Sequence, residues 1–122
     1  MQGKESDIHL ALALRTAFIE KYNDVEVFDV FLVQLEKEYM EKWIHKFIKE
    51  TNISITKYHG KLKERISMIR IHKKREIFIE ICKINDARAW INDNGKYKQL
   101  AFNVMYLFYK EDKELLKYVN KE

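Results

Sequence analysis

The sequence predicts an α+β fold in a single domain, residues 1–122: two N-terminal helices, a small antiparallel three-stranded sheet or hairpin over about residues 53–84, and a long C-terminal helix. Three observations predict it. Apolar residues recur at helical spacing through the first 50 residues, turn to alternation after Thr51, and return to helical spacing after Gly95.

The first helix is expected from about Asp7 to Tyr22, with Ser6 as its cap and Asp7 in the first turn, where a carboxylate favours the helix dipole. Ile8, Ala11, Leu12, Arg15, Phe18 and Ile19 fall at helical spacing. Leu10, Ala13, Leu14 and Ala17 widen the apolar surface, so the helix reads as buried on most sides. Asn23 or Asp24 opens a second helix extending to Glu50. Its stripe is Phe28, Phe31, Leu32, Leu35, Tyr39, Trp43, Phe47 and Ile48. Aromatic residues on such a stripe are read as core.

After Thr51 the pattern changes. Ile53 and Ile55 alternate with Ser54 and Thr56, and His59-Gly60 offers a turn. Ile66, Met68 and Arg70 alternate with Ser67, Ile69 and Ile71. The run from Ile77 to Ile84 is rich in β-branched residues at period two. These features predict a meander whose second turn, His72 to Arg75, is a basic tip. Within Lys61–Ile71, Ile66, Ile69 and Arg70 also stand at helical spacing, so this stretch carries both periods. Asn85-Asp86 ends the third strand, Ala87–Ile91 reads as a helical turn or short strand, and Asn94-Gly95 is a turn signal. The C-terminal helix, one piece or two broken near Lys110, carries Leu100, Val104, Leu107, Phe108, Leu115, Leu116 and Val119.

Charge is distributed unevenly. Residues 51–75 hold eight basic side chains against one acid, a net of +7, in a chain whose total is +4. Residues 1–50 carry −3, and residues 76–122 balance. A patch this basic raises the local concentration of polyanions. RNA or DNA, alone or within a ribonucleoprotein, is therefore the expected partner. Lys57, Lys61, Lys63, Arg65, Arg70, His72, Lys73, Lys74 and Arg75 are the candidate phosphate contacts, with Tyr58 as a base stacker. If about 4 to 6 phosphates were neutralised, log affinity would fall with log salt at a slope of roughly −4 to −5. The plainer alternative is a solvated hairpin whose lysines guard an edge against aggregation. A charge of +7 over 25 residues exceeds what that needs.

The expected function is a non-catalytic nucleic-acid- or ribonucleoprotein-binding module. Small size and a Lys/Glu/Ile-rich composition are like short phage or mobile-element proteins, which suggests a regulator or inhibitor of a nucleic-acid enzyme. The alternative is a protein-binding module using the acidic face of helix 2, formed by Asp24, Glu26, Asp29, Glu36, Glu38 and Glu41. The second alternative is a metal-independent ribonuclease using His72 with Arg65 or His59. Arg65 and His72, with six residues between them, are similar in spacing to the R-x(4–6)-H motif of HEPN-type ribonucleases. That resemblance implies an all-helical fold, whereas this stretch reads as extended, and Ile66 follows the arginine where that family usually has a polar residue.

No cofactor and no metal site is expected, because the four histidines are scattered and Cys82 is the only cysteine. A lone cysteine also excludes an intramolecular disulfide, which fits a reducing compartment. The acidic N-terminus lacks the charge of a secretory signal, and Leu10–Leu14 is too short for a membrane span. A cytoplasmic protein with no membrane partner is expected.

Overall fold

The computed structural model describes residues 1–53, 55–93 and 95–120, and these form helices and connections with no sheet among them. In chain order the elements are α1 (Glu5–Tyr22), α2 (Val25–Thr51), α3 (Ile55–Cys82), α4 (Ala87–Asn92), α5 (Lys98–Lys110) and α6 (Lys113–Asn120). The fold is all-α. The expected α+β architecture is overturned at one place, the stretch read as a meander, which is a single helix of 28 residues.

Burial explains the difference. Tyr58, Leu62, Ile66 and Ile69 are buried at three- and four-residue spacing, and Ile77, Phe78 and Ile81 are buried two turns further on. The alternation that suggested strands was built from isoleucines on both sides of this helix, with Ile71 and Ile79 left exposed. β-Branched content is a weak preference that tertiary packing overrides. The turn expected at His59-Gly60 lies inside α3, where Gly60 is exposed. The basic tip His72–Arg75 is likewise a continuous turn of the same helix. Ser54 and Asn94, which figured in the expected alternation and in the Asn94-Gly95 turn, lie outside the described residues. Gly95 itself sits at φ +75°, the left-handed region that favours glycine.

The helices begin and end for local reasons. Asp24 caps α2 by accepting from the amides of Glu26 and Val27 at 2.9 and 3.2 Å. Asn52 ends it in the left-handed conformation, its amide bonded to the Ile48 carbonyl. The expected C-terminal helix is two, α5 and α6. Asp112 divides them, its carboxylate accepting from the Leu115 amide at 3.0 Å in the first turn of α6. α1 begins at Glu5 with Lys4 as its cap, and Ser6 lies inside it.

α3 packs between α2 and α5, and α1 packs on α2 and α4. The core centres on aromatic rings. Phe18 lies 5.1–6.2 Å from Phe28, Phe78, Trp90 and Tyr97, ring centre to ring centre, distances at which aromatic pairs attract. Trp43 and Trp90 are buried and place their indole N–H groups on the carbonyls of Phe102 and Ile84. α1 is less enclosed than its sequence implies: Ala11, Phe18 and Tyr22 are buried while Leu10, Leu12 and Ile19 are exposed. No helix among the described residues is long and apolar enough to cross a membrane.

Candidate nucleic-acid interface

Because residues 55–82 are helical, their basic side chains are sorted by helical phase. One set faces α2. Arg70 donates through Nε to Glu36 and through Nη1 to Asp29 at 3.2 Å. Lys74 reaches the same Asp29 oxygen at 2.8 Å, and Ser67 donates to Glu36. Arg70 and Glu36 are nearly enclosed, with side chains 14% and 10% exposed. Two charges withdrawn this far from water persist only when each is paired and hydrogen-bonded. The hydrogen bond from Lys74 holds the Asp29 carboxyl below its usual 3.8 against the opposing effect of burial, and the Lys74 and Arg70 charges assist. Further along, Glu41 meets His59 at 2.9 Å and Lys63 at 3.9 Å.

A second set faces α6. The Arg65 guanidinium makes a forked pair with Asp112, Nε at 2.9 Å and Nη2 at 2.8 Å, the bidentate geometry that arginine supplies and lysine does not. Burial works to raise the Asp112 pKa. The hydrogen bonds from Arg65 and the Leu115 amide outweigh it and leave the carboxyl below 3.8.

The third set faces solvent. Lys57, Lys61, His72 and Arg75 are exposed, and no carboxylate among the described residues pairs with them. Their positions fall on one side of α3 at 100° per residue. Lys61 and His72 are separated by eleven residues, or about 16 Å of helix. The Lys57 ammonium lies 5.2 Å from the Tyr58 ring centre, and the Arg75 guanidinium 5.9 Å from that of Phe78. Lys73 is also exposed, but it lies apart from this row, in a cleft of mixed charge lined by Arg65, Glu111, Asp112, Lys113 and Glu114.

Of the ten residues singled out in the sequence, the structure therefore gathers Lys57, Lys61, His72 and Arg75 on an open face. It ties Arg65, Arg70 and Lys74 to carboxylates, holds Lys63 loosely, and sets Lys73 in a cleft of mixed charge. Tyr58 is in the core, its ring 5.0 Å from that of Tyr118, so it is not offered to a base.

The same sorting consumes much of the acidic face of α2. Asp24 caps the helix, Asp29, Glu36 and Glu41 pair with α3, and Glu38 pairs with Lys98 at 3.1 Å. Sequence reasoning missed that the two charged segments answer each other. The available signal was Glu36, which stands at core register between Leu32 and Met40, where a carboxylate requires a buried partner.

Arg65 and His72 stand on similar sides of α3, two turns and about 10 Å apart along it. His59 is held by Glu41. Burial pushes the Cys82 thiol up, away from the reactive thiolate. No group of histidine, cysteine and carboxylate side chains among the described residues is arranged to hold a metal ion. Comparison with protein-family models, curated proteins and solved structures finds no match to this chain.

Proposed function

We propose that this protein is a non-catalytic module that docks the solvent face of α3 on a nucleic-acid backbone. One observation carries the reading: Lys57, Lys61, Arg75 and His72 remain without a carboxylate partner among the described residues and lie along one side of a continuous helix. Such a row presents point charges to successive phosphates and no grouping that reads a base edge, so it binds backbone without strong sequence preference. With about three phosphates neutralised, log affinity for duplex DNA falls with log salt at a slope of roughly −3. That is shallower than the full basic segment would give.

The test is fluorescence anisotropy with short RNA and DNA, single- and double-stranded, across a salt series. The wild type is expected to bind at low salt with that slope, and the Lys57→Glu/Lys61→Glu/Arg75→Glu triple variant to lose binding while keeping its helical circular dichroism. Equal binding by the triple variant, or no binding by the wild type at low salt, overturns the reading.

A second reading, metal-independent ribonuclease, is favoured by the helicity of the Arg65–His72 stretch, which removes the objection that it is extended. It requires Arg65 to leave Asp112. Cleavage of labelled RNA in chelator that disappears in His72→Ala would support it, and intact RNA would dismiss it.

A further inference from the structure

Where α3 ends beside α5, the two helices bound a cleft of about 630 Å³, within the roughly 300–1,000 Å³ range of binding sites. Its walls are regular. Glu76, Glu80 and Lys83 follow one another at i, i+4 and i+7 on one side, and Val104, Leu107, Phe108 and Glu111 at i, i+3, i+4 and i+7 on the other. Each wall is thus two helical turns, about 10 Å long. Of its apolar residues, Leu107 is 48% exposed, Phe108 is half-buried and Val104 belongs to the core. Three carboxylates rim it against one ammonium, and Lys83 is already engaged by Glu80 at 3.3 Å. Glu76 and Glu111 have no ion-pair partner among the described residues.

We infer that this cleft is a docking groove for a lysine/arginine-rich amphipathic helix of a partner protein. Apolar residues of that helix would seat on Leu107 and Phe108, with flanking cations meeting Glu76, Glu80 and Glu111. The excess of carboxylates selects a cationic occupant over nucleic acid. The cleft adjoins the basic face of α3, Glu76 following Arg75, but the inference does not depend on that face's role. The apolar wall, Val104 to Phe108, is about one turn long, so it takes anchors at i and i+3 or i+4, part of the register by which a helix lies in a groove. A second copy of this chain fits less well. Its basic face is not the cleft itself, so the contact would be head-to-tail, building a ring or a filament and not a two-fold pair.

The test uses a labelled helical peptide of about 14 residues, four turns, with leucines at i and i+3 flanked by lysines, beside a scrambled peptide of identical composition. The full-length protein should bind the patterned peptide at least about tenfold more tightly than the scrambled one, as expected where a few apolar anchors dominate. Leu107→Asp, at an exposed position, and the Glu76→Lys/Glu111→Lys pair should each remove that preference. The Lys57→Glu/Lys61→Glu/Arg75→Glu variant should retain it, which separates failure here from failure of the nucleic-acid reading. Equal binding of the two peptides, or full binding by Leu107→Asp, overturns the inference. So does concentration-dependent self-association in sedimentation equilibrium that Leu107→Asp abolishes, since the occupant would then be a second copy.

Discussion

The two sides of α3 carry the same kinds of cationic residue and have opposite consequences. On the side facing α2, Arg70 and Lys74 meet Asp29 and Glu36, largely out of water, and the charges hold the fold together. On the solvent side, Lys57, Lys61 and Arg75 are exposed and pair with no carboxylate among the described residues, Lys57 and Arg75 lying only against the rings of Tyr58 and Phe78. A count of charges along the chain treats the two alike. What separates them is helical phase: a shift of one or two residues turns a side chain from a carboxylate to solvent.

The comparison breaks most sharply at Arg70. Arg70→Ala leaves Glu36 enclosed without its partner, and a broken buried pair costs about 3–5 kcal/mol, to be read by urea denaturation. Arg65→Ala comes next, with about 2 kcal/mol expected from loss of the charge-assisted fork on half-buried Asp112. A double-mutant cycle with Asp112→Ala would show whether the pair itself carries that loss. Gly60→Ala tests the helix directly, because a Cβ there meets nothing within 4 Å. It should raise stability by about 0.5–1 kcal/mol, whereas a hairpin turn at that position would gain nothing. Lys61→Ala, on the solvent side, should change stability by less than about 0.5 kcal/mol while weakening nucleic-acid binding.

Acidity offers a finer measure of the same contrast. The Asp29 and Asp112 carboxyls are depressed below 3.8 in the folded state. Their contribution is therefore complete above the unfolded value and is lost as pH falls through the lower folded value. Stability should decline as pH drops below about 4. That decline should be shallower in Arg65→Ala, which no longer holds Asp112 down, and unchanged in Lys61→Ala. An equally steep decline in Arg65→Ala would mean the Arg65–Asp112 pair does not shape the acid limb.

Much of this fold was legible. α1 and α2 stand close to their expected limits, because Phe28, Leu32, Leu35, Trp43 and Phe47 recur at a period that only a helix satisfies, and all are buried. Asp24 announced the second helix by its capping chemistry, and a break near Lys110 was visible. α3 was not legible, since isoleucines scattered on both sides of a helix imitate the alternation of a strand. Only the packing of Leu62, Ile66, Ile69 and Ile77 between α2 and α5 distinguishes the two. The basic segment was legible as a run of charge, but the disposition of its side chains was not. Lys57, Lys61, His72 and Arg75 are exposed, whereas Tyr58 packs against Tyr118, and Arg65, Arg70 and Lys74 are engaged inside the molecule.

By itself, the sequence determined the apolar and aromatic content available to a core, the extent of the first two helices, the absence of any disulfide within the chain, and a polarised charge with a +7 segment. These follow from local preferences and counting, which need no knowledge of neighbours. Only the tertiary structure decided that the basic segment is one helix and that the acids of α2 are its partners. It also decided that four basic or imidazole side chains stay open while a carboxylate-rimmed cleft forms beside α5. Those outcomes depend on which residues meet across 30 to 50 positions of chain, and burial, not local preference, selects among the conformations that the local pattern allows.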